Sequence, residues 1–233
     1  MMMRSGTLRV MTGCLGVAFV LVWGGFTKSV AARVATTSHF NHLSIPILGL
    51  TLNQAHRPMG VVSHVVVHFK QRSDHEGLRL RFQKVPGKFS PLAQHAVKLA
   101  IERVAAAANL GTDSWSVGLT FPYPGMTMYG ESLSAMVGLS VIALAKGETL
   151  INGRSITGTI TEDGGIGKVG GVPQKIYAAY YQHINRVLIP EEHYVGDGDW
   201  PIPFLMHVSP VNTVEKAYLG LTGHQLSPSP NLP

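Results

Sequence analysis

Apolar and polar residues alternate from Val61 to Phe69: Val61, Ser63, Val65, Val67 and Phe69 fall on one face, Val62, His64, Val66 and His68 on the other. A period of two is that of a strand. After Ser73-Asp74-His75-Glu76-Gly77, the residues Leu78, Leu80 and Phe82 alternate with Arg79, Arg81 and Gln83. The two runs predict a hairpin with one face for the core and one for water. The period then changes. Ser90-Pro91 places an N-cap before a first-turn proline, and Val97, Ala100, Ile101, Val104 and Ala108 recur at helical spacing until Gly111, the expected stop.

Ser114 to Phe121 reads as a strand and Pro122 to Gly130 as a loop. From Ser132 to Lys146 the chain is apolar nearly all round, with Leu133, Met136, Val137, Leu139, Val141, Ile142 and Leu144, which predicts a core helix. Ser155 to Thr161 and Ile166 to Val169 flank Asp163-Gly164-Gly165, a hairpin signal. A helix around Lys175 follows, with Ile176, Ala179 and Tyr180 as its buried stripe. Val187-Leu188-Ile189 is a buried strand, Phe204 to Val208 another, and Thr213 to Leu221 a closing helix. Strands alternating with helices predict an α/β (α+β) class, a mixed sheet with packed helices and crossover units after Gly130.

Composition sharpens this outline. A chain of 233 residues with 45% hydrophobic content can bury a sizeable core in one main domain. The net charge of +6 is concentrated at the start, where residues 1–35 hold Arg4, Arg9, Lys28 and Arg33 and no acid. The rest is nearly balanced and has no basic run interleaved with aromatics, so no nucleic-acid partner is expected. Arg4 and Arg9 precede an uncharged stretch whose most apolar part is Leu15 to Trp23, followed by Ala31, Ala32 and Ala35. Residues 1–35 therefore read as a cleaved signal peptide or an uncleaved membrane anchor, with the domain exported in either case. Cys14 is the only cysteine, so neither an internal disulfide nor a thiol nucleophile is available to the domain. Residues 36–59 are polar and mixed around Ile45-Pro46-Ile47, and read as a linker or an extra edge segment. The main domain is expected over 60–224, with a mobile Ser- and Pro-rich tail over 225–233.

Two residues stand out as candidate chemistry. Ser132 lies at the head of the apolar helix and Lys175 one turn into the next, behind Pro173. Unpaired N–H groups at a helix start supply donors for an oxyanion. A serine needs a base to become a nucleophile, and a lysine serves if its ammonium is destabilised. Burial and the helix dipole both act in that direction. Taken singly, a serine at a helix start is usually a cap and a first-turn lysine usually solvated.

Other constellations are weaker. His64 and His68 share a strand face but have no third ligand, so no metal is expected. His193, Asp197 and His207 have no spacing that supports a Ser-His-Asp triad. The glycine-rich stretch Gly164 to Gly171 has Glu162 where a phosphate loop needs glycine and Val169 where it needs Ser or Thr, which excludes a nucleotide site there.

Gly130-Glu131-Ser132-Leu133-Ser134, then Thr157-Gly158, then Gly170-Gly171-Val172-Pro173-Gln174-Lys175 resemble, in that order and spacing, the proteolytic domain of the Lon family of Ser-Lys peptidases. The likeness extends from about Gly60 to about Leu221 and is closer to the B-type, membrane-associated branch, where the nucleophile motif is Gly-Asp-Ser-Ala-Ser. The resemblance implies a ribosomal protein S5 domain 2-like fold, with Ser132 as nucleophile, Lys175 as general base and Thr157 as a hydrogen-bond partner of the lysine. Gly130 and Gly171 would support the two motifs, and Glu131 is either an acid behind the site or a surface residue.

The chain departs from the family at Leu133, where a small residue is usual, and at Glu162-Asp163-Gly164-Gly165, a turn that is commonly basic. With no nucleotide motif, the expected activity is an ATP-independent endopeptidase using no cofactor and acting on peptides or unfolded proteins. A homo-oligomeric ring and a membrane tether through the N-terminus are the assemblies open to it. A catalytically silent Lon-fold module that binds peptides is the alternative; retention of both Ser132 and Lys175 favours the enzyme.

Overall fold

The computed structural model describes residues 41–192 and 201–226. The 1–35 segment, His193, Asp197 and the tail beyond residue 226 lie outside them. Strand β1 (Asn41–Leu52) pairs antiparallel with β2 (Pro58–Gln71) along its whole length, from Asn41↔Phe69 to Leu52↔Pro58. Asn53 makes the connection, its Oδ1 accepting the N–H groups of Ala55 at 2.9 Å and Arg57 at 3.0 Å. Of the two readings of 36–59, the structure selects the edge strand, and the packed domain begins well before Gly60. Pro46 is tolerated because β1 is an outer strand. Its carbonyl takes the Ser155 hydroxyl at 3.0 Å, so the side of β1 on which Pro46 lacks an N–H faces β7 (Arg154–Ile156) and not the β2 ladder.

The predicted hairpin between the runs 61–69 and 78–83 does not form. Strand β5 (Trp115–Thr120) lies between β2 and β3 (Arg79–Phe82), giving the order β1-β2-β5-β3, and β3 runs parallel to β5. A parallel pair needs a crossover. It is supplied by the short strand β4 (Lys88–Phe89) and helix α1 (Pro91–Ala107). Ser90 caps α1 by accepting the Ala93 N–H at 3.2 Å. The helix stops at Asn109, which takes the left-handed conformation at φ 54°, and not at Gly111.

Strand β6 (Thr127–Met128) pairs with β4 and leads to α2 (Ser134–Lys146), which is buried from Ser134 to Ala143. Gly138 lets α2 approach α1 closely, since a Cβ there would stand 3.1 Å from the Ala100 backbone. Strands β8 (Thr159–Ile160) and β9 (Ile166–Gly167) form the predicted hairpin over a shorter span, with Gly164 at φ 79° in its turn, while Ser155 and Ile156 belong to β7 in another sheet. Helix α3 (Val172–Tyr181) then crosses to β10 (Arg186–Pro190), parallel to β7, and β11 (His207–Val211) completes a parallel sheet of order β11-β10-β7.

This strand starts later than the predicted Phe204, which is 82% exposed. Tyr180 is likewise 41% exposed, so α3 buries Val172, Lys175, Ile176 and Ala179 instead. Helix α4 (Val214–Thr222) closes the domain, capped by Thr213. The architecture is mixed α/β, with a main core around α2 and a smaller one beneath α3 built from Leu48, Val172, Ile176, Val187 and Ile189.

Candidate active site

Ser132 sits in a turn two residues before α2, not at its first residue. Gly130, at φ 82°, turns the chain into it, and the Ser134 N–H donates to the Glu131 carbonyl at 2.9 Å. Gly158 holds this turn from both sides. Its N–H donates to the Ser132 carbonyl at 3.2 Å, and its carbonyl accepts the Ala135 N–H at 3.2 Å. No hydrogen bond among the described residues engages the N–H groups of Ser132 or Leu133.

Lys175 comes from the first turn of α3. Gly171 caps that helix at φ 63°, Pro173 fits the first turn, and the Lys175 N–H donates to the Gly171 carbonyl at 3.1 Å. The lysine is only 2% exposed, and its Nζ donates to Thr157 Oγ1 at 3.0 Å. Thr157 is fully buried and tied to β10 through its N–H, which donates to the Leu188 carbonyl at 3.1 Å. Burial pushes the Lys175 amine down from 10.5 to about 8.

Ser132 and Lys175 line one cavity of about 690 Å³, with Gly130 and Glu131 on its wall. The lysine's hydrogen bond goes to Thr157 and not to the serine. The two are nonetheless coupled through one dipeptide, because Thr157 holds the amine and its neighbour Gly158 holds the Ser132 backbone. Glu131 is exposed.

Much of the cavity wall comes from segments that sequence reasoning did not assign to the site. Leu48 and Leu50 on β1, Phe121, and Met126 and Met128 on the approach to Ser132 make it largely apolar. The apolar run in Ile47-Leu48-Gly49-Leu50 was the available signal, obscured by the neighbouring proline.

His68 stacks on His42 with ring centroids 6.0 Å apart, and His64 Nδ1 lies 3.4 Å from Tyr123 Oη. No group of three metal-ligating side chains occurs among the described residues. His75, Asp113 and Ser114 do cluster, but Asp113 Oδ2 at 2.7 Å and Ser114 Oγ at 3.0 Å both face His75 Nδ1. A Ser-His-Asp triad uses opposite ring nitrogens. The arrangement pins a loop and cannot relay a proton from serine.

The fold and the cavity define a class: a mixed α/β domain in which a serine from the turn before α2 and a buried lysine from the first turn of α3 line one cavity. The family model for the Lon protease (S16) C-terminal proteolytic domain matches residues 93–215, and the chain belongs to that family. Its domain is accordingly that of a serine peptidase, a hydrolase. No curated protein sequence matches the chain.

Proposed function

We propose that this protein is an endopeptidase that uses a Ser132–Lys175 dyad, without ATP, to cleave peptides or unfolded protein segments. The observation that carries this reading is the burial of Lys175 in the cavity that Ser132 lines, with Thr157 directing its amine. At a value of about 8 the amine is partly neutral near physiological pH, as a general base must be. Neutral Lys175 takes the Ser132 proton while Oγ attacks the peptide carbonyl. The N–H groups of Ser132 and Leu133, which no hydrogen bond among the described residues takes up, would hold the oxyanion. The protonated lysine then donates to the leaving amine, and water, deprotonated in turn by the lysine, releases the acyl group and restores Ser132.

The apolar cavity wall favours extended substrates with apolar side chains next to the scissile bond. ATP independence is supported by the fate of the glycine-rich stretch: its residues form the β8–β9 turn and the α3 cap, not a phosphate loop. Export through residues 1–35, and kinship with the membrane-associated branch of the family, belong to the same proposal. Among the described residues no helix is long and apolar enough to cross a membrane.

The test is hydrolysis of fluorescently labelled casein by wild type, Ser132→Ala and Lys175→Arg, with and without ATP. Both variants should be folded and inactive, because arginine stays charged at any working pH, and ATP should change nothing. Cleavage surviving in both variants would place the chemistry elsewhere.

A further inference from the structure

Leu50 and Gly60 face each other as one rung of the β1–β2 ladder. Both touch the first turn of α3. A Cβ at Gly60 would stand 1.9 Å from the Gln174 carbonyl oxygen, 2.5 Å from its carbon and 2.9 Å from Ala178 Cβ. Gln174 is the residue before Lys175. On the other strand, the Leu50 side chain covers Gly171, where a Cβ would meet Leu50 Cδ1 at 2.5 Å. Gly171 is the α3 cap whose carbonyl takes the Lys175 N–H. A single rung therefore touches α3 just before the lysine and at the cap that its N–H binds.

The constraint at Gly60 is one of space. Its φ lies outside the left-handed region, so alanine would suit the backbone and fail only against α3. The two shortest of these contacts are with main-chain atoms, which cannot swing aside as the end of a side chain can. Both Leu50 and Gly60 also lie outside the residues matched by the family model.

We propose that the Leu50–Gly60 rung is the positioning element for the Lys175 amine: Gly60 admits the Gln174 carbonyl, Leu50 seats the Gly171 turn, and together they set how deeply Lys175 reaches towards Thr157 and Ser132. This rests on the dyad reading for its catalytic consequence, but not for its geometry. A methyl group at position 60 has to lift the first turn of α3, stretch the 3.0 Å bond to Thr157 and admit water to the amine. The charged groups that line the same cavity are Glu131, which is exposed, and Lys168, which pairs with Glu192 at 3.0 Å. Neither accounts for the state of the amine, which burial sets. Gly60 and Leu50 thus act through Lys175, and neither belongs to the reacting groups.

The experiment compares the full chain with Gly60→Ala, with Leu50→Ala and with the control Gly118→Ala, where a Cβ makes only an ordinary 3.6 Å contact with His68 in the same sheet. Two quantities are read against pH: the Lys175 Cε resonance, assigned by its loss in Lys175→Arg, and the rate of Ser132 acylation by a p-nitrophenyl ester. In Gly60→Ala the Lys175 titration should move up, away from about 8 towards 10.5. Acylation near neutral pH should fall about tenfold for each unit of that rise, with the ester's KM little changed and the control at wild-type values. Leu50→Ala, which only deletes atoms from a half-exposed side chain, should move the titration the same way and covers the case in which Gly60→Ala fails to fold. A Lys175 titration unchanged in the folded variants would overturn the proposal. A shifted titration with unimpaired acylation would uphold the positioning role and sink Lys175 as the base.

Discussion

Thr157 Oγ1 accepts the Lys175 ammonium at 3.0 Å with both residues withdrawn from water. That contact has a signed consequence. The hydroxyl offsets part of the cost of burying the charged amine, and it also aims the amine. Thr157→Val keeps the shape and removes the acceptor, so the charged form becomes costlier and the lysine titrates lower still. The pH–rate limb should move to lower pH, while the plateau kcat falls by about ten- to a hundredfold because the amine is no longer directed. Thr157→Ser should recover most of the rate. A plateau unchanged in Thr157→Val would mean that the hydroxyl only fills space.

Gly158 is the joint between the two halves of the site. A Cβ there would stand 2.8 Å from Ile166 Cγ2 and 3.7 Å from Ala135 Cβ, in a core that has no slack. Gly158→Ala should therefore destabilise the domain by about 1–3 kcal/mol and lower kcat beyond that, since its N–H and carbonyl hold the Ser132 turn. Urea unfolding together with acylation rates measured well below the transition separates the two effects.

What was legible in the sequence was local. The β8–β9 turn, the Ser90 cap, the closing helix from about Thr213 and the buried α2 helix each follow from a few neighbouring residues, and the structure has them. The Ser132, Thr157 and Lys175 segments were legible as motifs, although α2 begins at Ser134 and leaves Ser132 in the preceding turn. Strand pairing beyond the β8–β9 hairpin was not legible. The alternation in 61–69 and 78–83 marks two strands but not their partners, and β5 entered between them by a crossover that periodicity does not record. Pro46 hid β1 because a proline reads as a break unless the strand is known to be an outer one. Without β1, neither the apolar wall of the cavity nor the rung beneath α3 was visible.

The end of α1 separates two explanations of a helix stop. Asn109 holds the left-handed conformation at φ 54°, whereas Gly111 does not, and a Cβ at Gly111 would meet only Asp113 Oδ1 at 3.4 Å. Asn109→Val should cost about 1–2 kcal/mol, because a branched side chain is disfavoured in that region. Asn109→Gly should be neutral or stabilising, and Gly111→Ala nearly neutral. Thermal unfolding of the three variants reads this directly, and a large loss in Gly111→Ala would return the stop to the glycine.

The last prediction turns the buried lysine into a stability measurement. Lys175 titrates at about 8 in the folded protein against 10.5 when exposed, so the unfolded chain binds its proton more tightly. Stability is therefore penalised in full below about 8, recovers as pH climbs through the interval to 10.5, and is free of the penalty above it. Tyr218 works against this at the upper end. Burial and the neighbouring Glu148 push its phenol up, so the unfolded chain loses that proton first and alkaline pH destabilises the fold. Comparing wild type with Lys175→Met cancels the tyrosine, which both proteins share. Methionine fills a similar volume without a charge, at the cost of leaving the Thr157 hydroxyl without its partner. Near neutral pH Lys175→Met should be the more stable protein by about 2 kcal/mol, after allowing for that hydroxyl. The advantage should shrink steadily as the wild-type lysine deprotonates and disappear at alkaline pH. Urea midpoints of the two proteins across the range give the difference curve, and the pH at which it begins to fall reports the proton affinity of the folded Lys175 without reference to catalysis. A flat difference curve would mean that the amine carries no burial penalty, and would remove the physical basis for treating it as a neutral base.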